Sequence, residues 1–161
     1  MSGYPIHILL VEDDEIDVEI FQRACQKQQI SHPIVHASDG IEALQILRGE
    51  GNYPCLPQPY LILLDMNMPR MNGLEFLQTL RQDASLKWSV VFVLTTSNQE
   101  EDKIAAYMEQ IAGYFLKSND EAVLSFINLL DVYARLIELP TKGIYLHDSQ
   151  GKRHDPALNC A

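Results

Sequence analysis

Cysteine is scarce in this 161-residue chain: Cys25, Cys55 and Cys160, an odd number with no CxxC spacing. That pattern supports neither a zinc ribbon nor a disulfide framework. Cys25, on the apolar side of a helical repeat, reads as a buried reduced thiol. Basic residues are scarce too. Twelve Lys and Arg stand against 22 Asp and Glu, a formal charge of −10 with no Lys/Arg run to offset it. Binding to nucleic-acid phosphates is thereby opposed, and so is an anionic membrane surface. No apolar stretch approaches the roughly 20 residues of a membrane span. The opening MSGYPIHILLVEDD lacks the basic start and long apolar run of a secretory leader. These absences place the expected protein in the cytoplasm, with neither nucleic acid nor membrane as partner. The five histidines show no metal-ligand spacing, and the lone Trp88 reads as a packing residue.

What the chain does have is apolar residues in short, regular bursts, 47% of the whole and enough for a real core. Strands are predicted at 6–11 (IHILLV), 34–37, 60–64 (YLILL), 90–94 (VVFVL) and 114–116. Helices alternate with them. The first, 15–28, has Ile16, Ile20, Phe21 and Ala24 on one face. The second is 41–47. The third, 73–81, turns Leu74, Leu77 and Leu80 inward. The fourth, 99–110, places Ile104, Ala105 and Met108 on one side. The fifth, 119–139, turns Val123, Phe126, Ile127, Leu130 and Ala134 inward. Residues 49–59 (GEGNYPCLPQP), with three prolines and two glycines, are predicted to be a loop. Strands that are apolar throughout imply burial on both faces. Strict βα alternation implies a parallel sheet with right-handed crossovers. The expected fold is a flavodoxin-like (βα)5 doubly wound α/β sandwich, strand order 2-1-3-4-5.

In such sheets ligands bind beyond the carboxyl ends of the strands. The first strand is followed by Glu12, Asp13 and Asp14, the third by Asp65, the fourth by Thr95 and Thr96, and the fifth by Lys117. The second delivers only Ser38 and Asp39. In the expected order Glu12, Asp13, Asp65, Thr95 and Lys117 converge on one rim. A like-charge pair at ~4 Å costs about 4 kcal/mol at an effective dielectric near 20. One lysine cannot neutralise three acids, whereas a divalent cation can, and all-oxygen donors select a hard ion such as Mg²⁺. A carboxylate there can attack phosphorus and form an aspartyl phosphate. Phosphoryl transfer otherwise needs positioning and charge neutralisation.

VEDD, Asp65 followed by MNMPRMNG, LTTS and FLKS resemble the receiver domain of two-component response regulators in order, over residues 6–137. The resemblance implies that Asp65 is the phosphoacceptor. It makes Glu12, Asp13, Asp65 and the backbone carbonyl of Asn67 the ligands of Mg²⁺ or Mn²⁺. Thr95 and Lys117 would sense the phosphoryl group, Tyr114 would be the aromatic switch, and Asp14, Thr96 and Ser118 would stand behind them. Two positions depart from the family: Glu12 where Asp is common, and Ser118 where a proline, often cis, usually follows the lysine. The long 49–59 loop, LTTS and the long C-terminal helix are similar to the small single-domain regulators of cyanobacterial and bacterial phytochromes. That implies a sensor histidine kinase or histidine phosphotransfer protein as partner, and a homodimer with Asp131, Tyr133, Arg135, Leu136 and Leu139 as interface candidates. The output surface implied is the fourth helix, fifth strand and fifth helix.

Residues 1–140 are expected to form the receiver, and 141–161 a polar tail, mobile or docked on a partner, with too little chain for a DNA-binding output domain. A haloacid-dehalogenase-type hydrolase also uses an Asp nucleophile, magnesium and lysine. It usually carries a second Asp two residues on, where this chain has Asn67, so an enzyme is not expected beyond slow self-phosphorylation and self-dephosphorylation. A phosphorylation-independent pseudo-receiver is opposed by the complete acid pair, Asp65, Thr95 and Lys117. A flavin-binding flavodoxin is opposed by the acidic first loop, which would repel a phosphate.

Overall fold

Five short segments are apolar on both faces, and they become a parallel sheet because helices cover both sides. The computed structural model describes residues 5–139, together with 146–147 and 153–154. Its elements in chain order are β1 (His7–Val11), α1 (Glu15–Lys27), β2 (Ile34–Ala37), α2 (Gly40–Arg48), β3 (Tyr60–Leu64), α3 (Gly73–Gln82), β4 (Val91–Thr95), α4 (Glu100–Met108), β5 (Gly113–Leu116) and α5 (Asp120–Leu136). The sheet order is β2-β1-β3-β4-β5, all pairs parallel, as the alternation predicts.

Strand side chains alternate between two apolar layers. Leu9, Val11, Ile62, Leu64, Val91 and Val93 pack against Phe76, Leu77 and Leu80 of α3 and Ala43, Leu44 and Leu47 of α2. Ile8, Leu10, Leu61, Leu63, Phe92 and Leu94 pack against Phe21 and Cys25 of α1 and Phe126, Ile127 and Leu130 of α5. Phe92, Phe115, Phe126 and Tyr133 interlock in the second layer, the closest ring centroids 4.7 Å apart. Capping residues start the helices: Asp14, Asp39, Asn72 and Asn119 each accept a backbone N–H. Asn72 and Glu75 form a reciprocal capping box on α3.

Arg81, at the end of α3, donates to the carbonyls of Lys87, Ser89, Glu109 and Gln110, at 2.7 to 3.1 Å. One guanidinium therefore joins α3, the α3–β4 loop and the residues just after α4.

Several sequence expectations are corrected. In α1 the buried residues are Val18, Phe21, Ala24 and Cys25, whereas Ile16 is exposed. In α4 only Ala106 is buried, and Ile104, Tyr107 and Met108 face outward. The helix approaches the sheet through its small residues, so the apolar stripe points away. Trp88 is exposed, with the Lys87 ammonium 5.2 Å above its ring, and does not fill the core. Cys25 is a buried free thiol as expected, but Cys55 is disulfide-bonded where the sequence offered no disulfide framework. In the 141–161 tail, residues Leu146–His147 (β6) and Arg153–His154 (β7) pair antiparallel, where no regular structure was expected. The rest of the tail, and with it the expectation of mobility or docking, lies outside the described residues. No helix among the described residues is long and apolar enough to cross a membrane.

Candidate functional site

The carboxyl ends of β1, β3, β4 and β5 meet on one rim, because parallel pairing brings all strand ends to the same edge. Asp65 follows β3 directly and is held there by its own backbone, whose N–H donates to the Val11 carbonyl at 3.0 Å. Gly73, the first residue of α3, donates to the Met66 carbonyl at 3.0 Å and closes the 65–73 loop against the strand end. Glu12 is placed by its N–H to Ala37 of β2, at 3.0 Å. The His36 imidazole Nε2 lies 2.7 Å from the Glu12 carbonyl and must donate to it, since a carbonyl only accepts. Lys117 is set by its N–H to the Thr95 carbonyl, at 2.8 Å. The cis bond among the described residues is Gln58–Pro59, and Lys117–Ser118 is trans.

The acids assemble as the sequence reading expects. One carboxylate oxygen from each of Glu12, Asp13 and Asp65 can be chosen so that all three lie within 4.8 Å of one another. Glu12 and Asp65 are buried, at 4% and 7% exposure, and Asp13 is exposed. Burial, reinforced by the nearby Asp65 charge, pushes the Glu12 carboxyl up to about 7 against the opposing pull of Lys117. Asp65 Oδ1 is buried with no hydrogen-bond partner in the protein. An orphaned anionic oxygen in a low-dielectric setting is costly unless a cation or donor meets it. An all-oxygen donor set with one open carboxylate oxygen suits a hard divalent cation.

Lys117 stands on the same rim as the acids and pairs with two of them. Its ammonium donates to Glu12 Oε2 and to Asp17 Oδ2, each at 2.6 Å, rather than to Asp65. Burial would lower the lysine's affinity for its proton, but the bonds to Asp17 and Glu12 outweigh burial and hold it above its ordinary value.

Thr95 is fully buried, and its Oγ1 accepts the Ser97 N–H at 3.2 Å. The Tyr114 hydroxyl donates to the Ser97 carbonyl at 2.9 Å, and the Ser97 hydroxyl bonds the Asp102 carboxylate on α4. Ser97 thus joins Thr95, Tyr114 and α4. Asp14 serves as the α1 cap, donating its own N–H to Glu12 Oε1 at 3.1 Å. Asn67, Thr96 and Ser118 are exposed on the rim. Asp39 is buried, caps α2 and pairs with Arg70, whose backbone is left-handed at φ 65°.

Two residues of this network escaped the sequence reading. Asp17 sits in an acidic first turn, where dipole complementarity explains acids without any further role. Ser97 is the last letter of LTTS, and no local signal marks its bonds to Thr95, Asp102, Gln99 and Tyr114. A helical periodicity count could have found Asp17, three residues after the Asp14 cap and on the side of α1 that faces the rim.

A parallel 2-1-3-4-5 sheet with an acid triad, a threonine and a lysine at its carboxyl edge defines a receiver. The family described as response regulator receiver domain matches residues 8–127, and the chain belongs to it. Among its relatives, response regulator Rcp1 of Synechocystis sp. is 40% identical over 119 residues, covering 74% of this chain and 81% of that protein. The crystal structure of the Mn(2+)-bound form of Rcp1 superposes with a TM-score of 0.75 at 36% identity, covering 84% of this chain and 99% of that one. The phosphorylated cyanobacterial phytochrome response regulator RcpA superposes with a TM-score of 0.76 at 33% identity, covering 84% and 99%.

Proposed function

We propose that this protein is a phosphoryl-accepting switch of the phytochrome-linked kind, acting in the cytoplasm with a sensor histidine kinase or histidine phosphotransfer protein as donor. The observation that carries the reading is the buried, unpartnered Asp65 Oδ1 inside the Glu12–Asp13–Asp65 cluster. That oxygen has no protein donor to satisfy it, so its charge is left for a metal or a phosphoryl group to meet. In the transfer, an Asp65 carboxylate oxygen bonds to phosphorus while the P–N bond to the donor imidazole breaks, the electron pair leaving on nitrogen. Glu12, Asp13, Asp65 and the Asn67 carbonyl would hold Mg²⁺ or Mn²⁺, which when bound neutralises charge on the carboxylates and phosphoryl oxygens. Lys117 supplies a point charge to a second phosphoryl oxygen, and the Thr95 hydroxyl donates to a third after leaving Ser97. No general base stands ready for water: Asn67 occupies the position where a hydrolase carries its acid/base, so self-dephosphorylation is slow.

The receiver occupies residues 1–140, with 141–161 as a C-terminal extension. Its output is protein contact on the α4–β5–α5 face, including a homodimer. Ile104, Tyr107 and Met108 form an exposed apolar stripe on α4, and Leu129, Val132 and Leu136 form a second on α5. Of the candidates Asp131, Tyr133, Arg135, Leu136 and Leu139, two are exposed and Leu139 is half-buried against the core. Leu136, at 79% exposure, and the exposed Arg135 remain available. Asp131 is instead turned to His32 and Arg135, and Tyr133 into the aromatic cluster. Leu136→Glu is expected to leave monomer stability within about 0.5 kcal/mol of wild type, as for surface changes generally. It should abolish the dimer, and an unchanged dimer by sedimentation would move the interface elsewhere.

The test of the function is intact mass after incubation with acetyl phosphate, with and without Mg²⁺, for wild type and Asp65→Asn, with molecular size recorded alongside. A magnesium-dependent phosphoryl adduct on wild type, absent from the variant, is the expected result. No adduct on wild type under any condition would leave a phosphorylation-independent binding module.

A further inference from the structure

We infer that Asp17 is a positioning residue for the phosphoryl site, holding the Lys117 ammonium in place when Glu12 is committed to a metal. The inference rests on the receiver reading above and concerns a residue of α1 outside the motifs that carry that reading.

The geometry is specific. Lys117 Nζ has three N–H donors. One goes to Glu12 Oε2 and one to Asp17 Oδ2, both at 2.6 Å, close contacts between a cation and an anion. The pair spans 100 residues of sequence, so it is not a local helix-surface contact. Its environment is sheltered: the Lys117 side chain is 10% exposed and that of Asp17 is 30%. Both line a cavity of about 220 Å3 walled by Leu10, Ile20, Phe21, Leu94 and Val123. Ion pairs beside apolar walls are screened far less than surface pairs. The other acids of the α1 first turn behave differently. Glu15 is exposed, and Asp14 caps the helix. Asp17 alone among them reaches across to β5.

The arrangement divides the work between the two anchors. Glu12 belongs to the acid triad, and its lone pairs are wanted by a divalent cation. Asp17 lies outside that triad. It is the anchor Lys117 retains when Glu12 is engaged, leaving two N–H groups for a phosphoryl oxygen on Asp65. Without Asp17, the ammonium has only Glu12 and Asp65 to neutralise, and it competes directly with any cation for them.

The test is a double-mutant cycle on Mg²⁺ affinity, read by calorimetric titration of the full chain. Asp17→Asn is expected to weaken Mg²⁺ binding about 3- to 10-fold when Lys117 is present, and less than about 2-fold in the Lys117→Met background, the non-additivity that marks a direct partnership. Asp17→Glu should recover part of the loss, because it restores the charge at a different reach. Beryllofluoride titrated at saturating Mg²⁺ should likewise bind more weakly to Asp17→Asn than to wild type. Equal losses in both backgrounds would reduce Asp17 to a remote charge and overturn the inference, as would no loss in either. Failure of wild type itself to bind Mg²⁺ would instead strike the receiver reading, so the two failures are told apart.

Discussion

Gly73→Ala is expected to destabilise the protein by about 2–4 kcal/mol, the upper part of the range for overpacking against a rigid neighbour. A Cβ at this position would lie 2.6 Å from the Asp65 carbonyl oxygen and 2.7 Å from the Met66 Cα. Those atoms belong to backbone, and they cannot retreat without cost. Asp65 N–H is bonded to Val11, and Gly73 N–H is bonded to the Met66 carbonyl. A Gly→Ala change at the start of a helix would otherwise stabilise by up to about 1 kcal/mol through chain entropy, so the clash must exceed that gain, and at these distances it does. The midpoint should fall by roughly 5–15 °C for a domain of this size. Because the same contact seats Asp65, the rate of adduct formation should fall with it. Gly51 is the matching control, with an open site and a left-handed φ of 64°. Gly51→Ala should cost only about 1 kcal/mol of backbone strain and leave the adduct rate unchanged. Urea and thermal unfolding decide the matter: a Gly73→Ala protein as stable as wild type would mean the 65–73 loop is not tied as described.

Glu12 predicts an unusual pH dependence for the metal-free protein. Its folded-state value is about 7, against 4.5 for the ordinary carboxyl. A raised folded value means the native state holds the proton more tightly than the unfolded chain. The resulting stability is fully present below about pH 4.5 and is lost as pH rises through about 7. At 1.36 kcal/mol per unit the amplitude is about 3 kcal/mol. Between pH 5 and 8, wild type should lose about 2–3 kcal/mol relative to Glu12→Gln, which cannot titrate at this position. Taking the difference cancels other groups, including His32, whose value burial lowers. Parallel stability curves for the two proteins, measured with a chelator present, would show that Glu12 ionises freely. Saturating Mg²⁺ should flatten the wild-type curve by stabilising the ionised form at high pH.

The fold was legible from sequence because each strand is apolar on both faces and each helix follows a strand. That pattern admits few arrangements other than a covered parallel sheet. The rim residues were legible for a related reason: topology brings strand ends together, so Glu12, Asp13, Asp65, Thr95 and Lys117 could be grouped without knowing any side-chain direction. Direction is where the reading stopped. Periodicity in α4 correctly showed Ile104 and Met108 on one face, but not which face meets the sheet, and the small Ala106 decided it. The sequence does not single out a partner for Lys117, because a lysine has a reach of several ångströms and Glu12, Asp17 and Asp65 all lie near it. Which of them it takes depends on burial and on the path of α1, neither of which a strand-end count contains. Trp88 reads from sequence as a packing residue because an aromatic beside an apolar strand is usually covered, but the strand begins three residues later and the ring is exposed.

The two attachments of α4 differ in kind. Beyond its far end, the Arg81 guanidinium bonds the carbonyls of Glu109 and Gln110. At its near end the Gln99 cap makes no side-chain bond, and the helix is joined to the loop through Asp102 and Ser97, whose N–H is bonded to the Thr95 hydroxyl. Mechanically α4 resembles a beam with a firmer bearing at its far end and a lighter one at its near end. A small displacement of the Thr95 hydroxyl would reach the helix at its near end, while the outward stripe of Ile104, Tyr107 and Met108 lies on the span between. A partner seated on that stripe would feel a change of tilt rather than a change of composition.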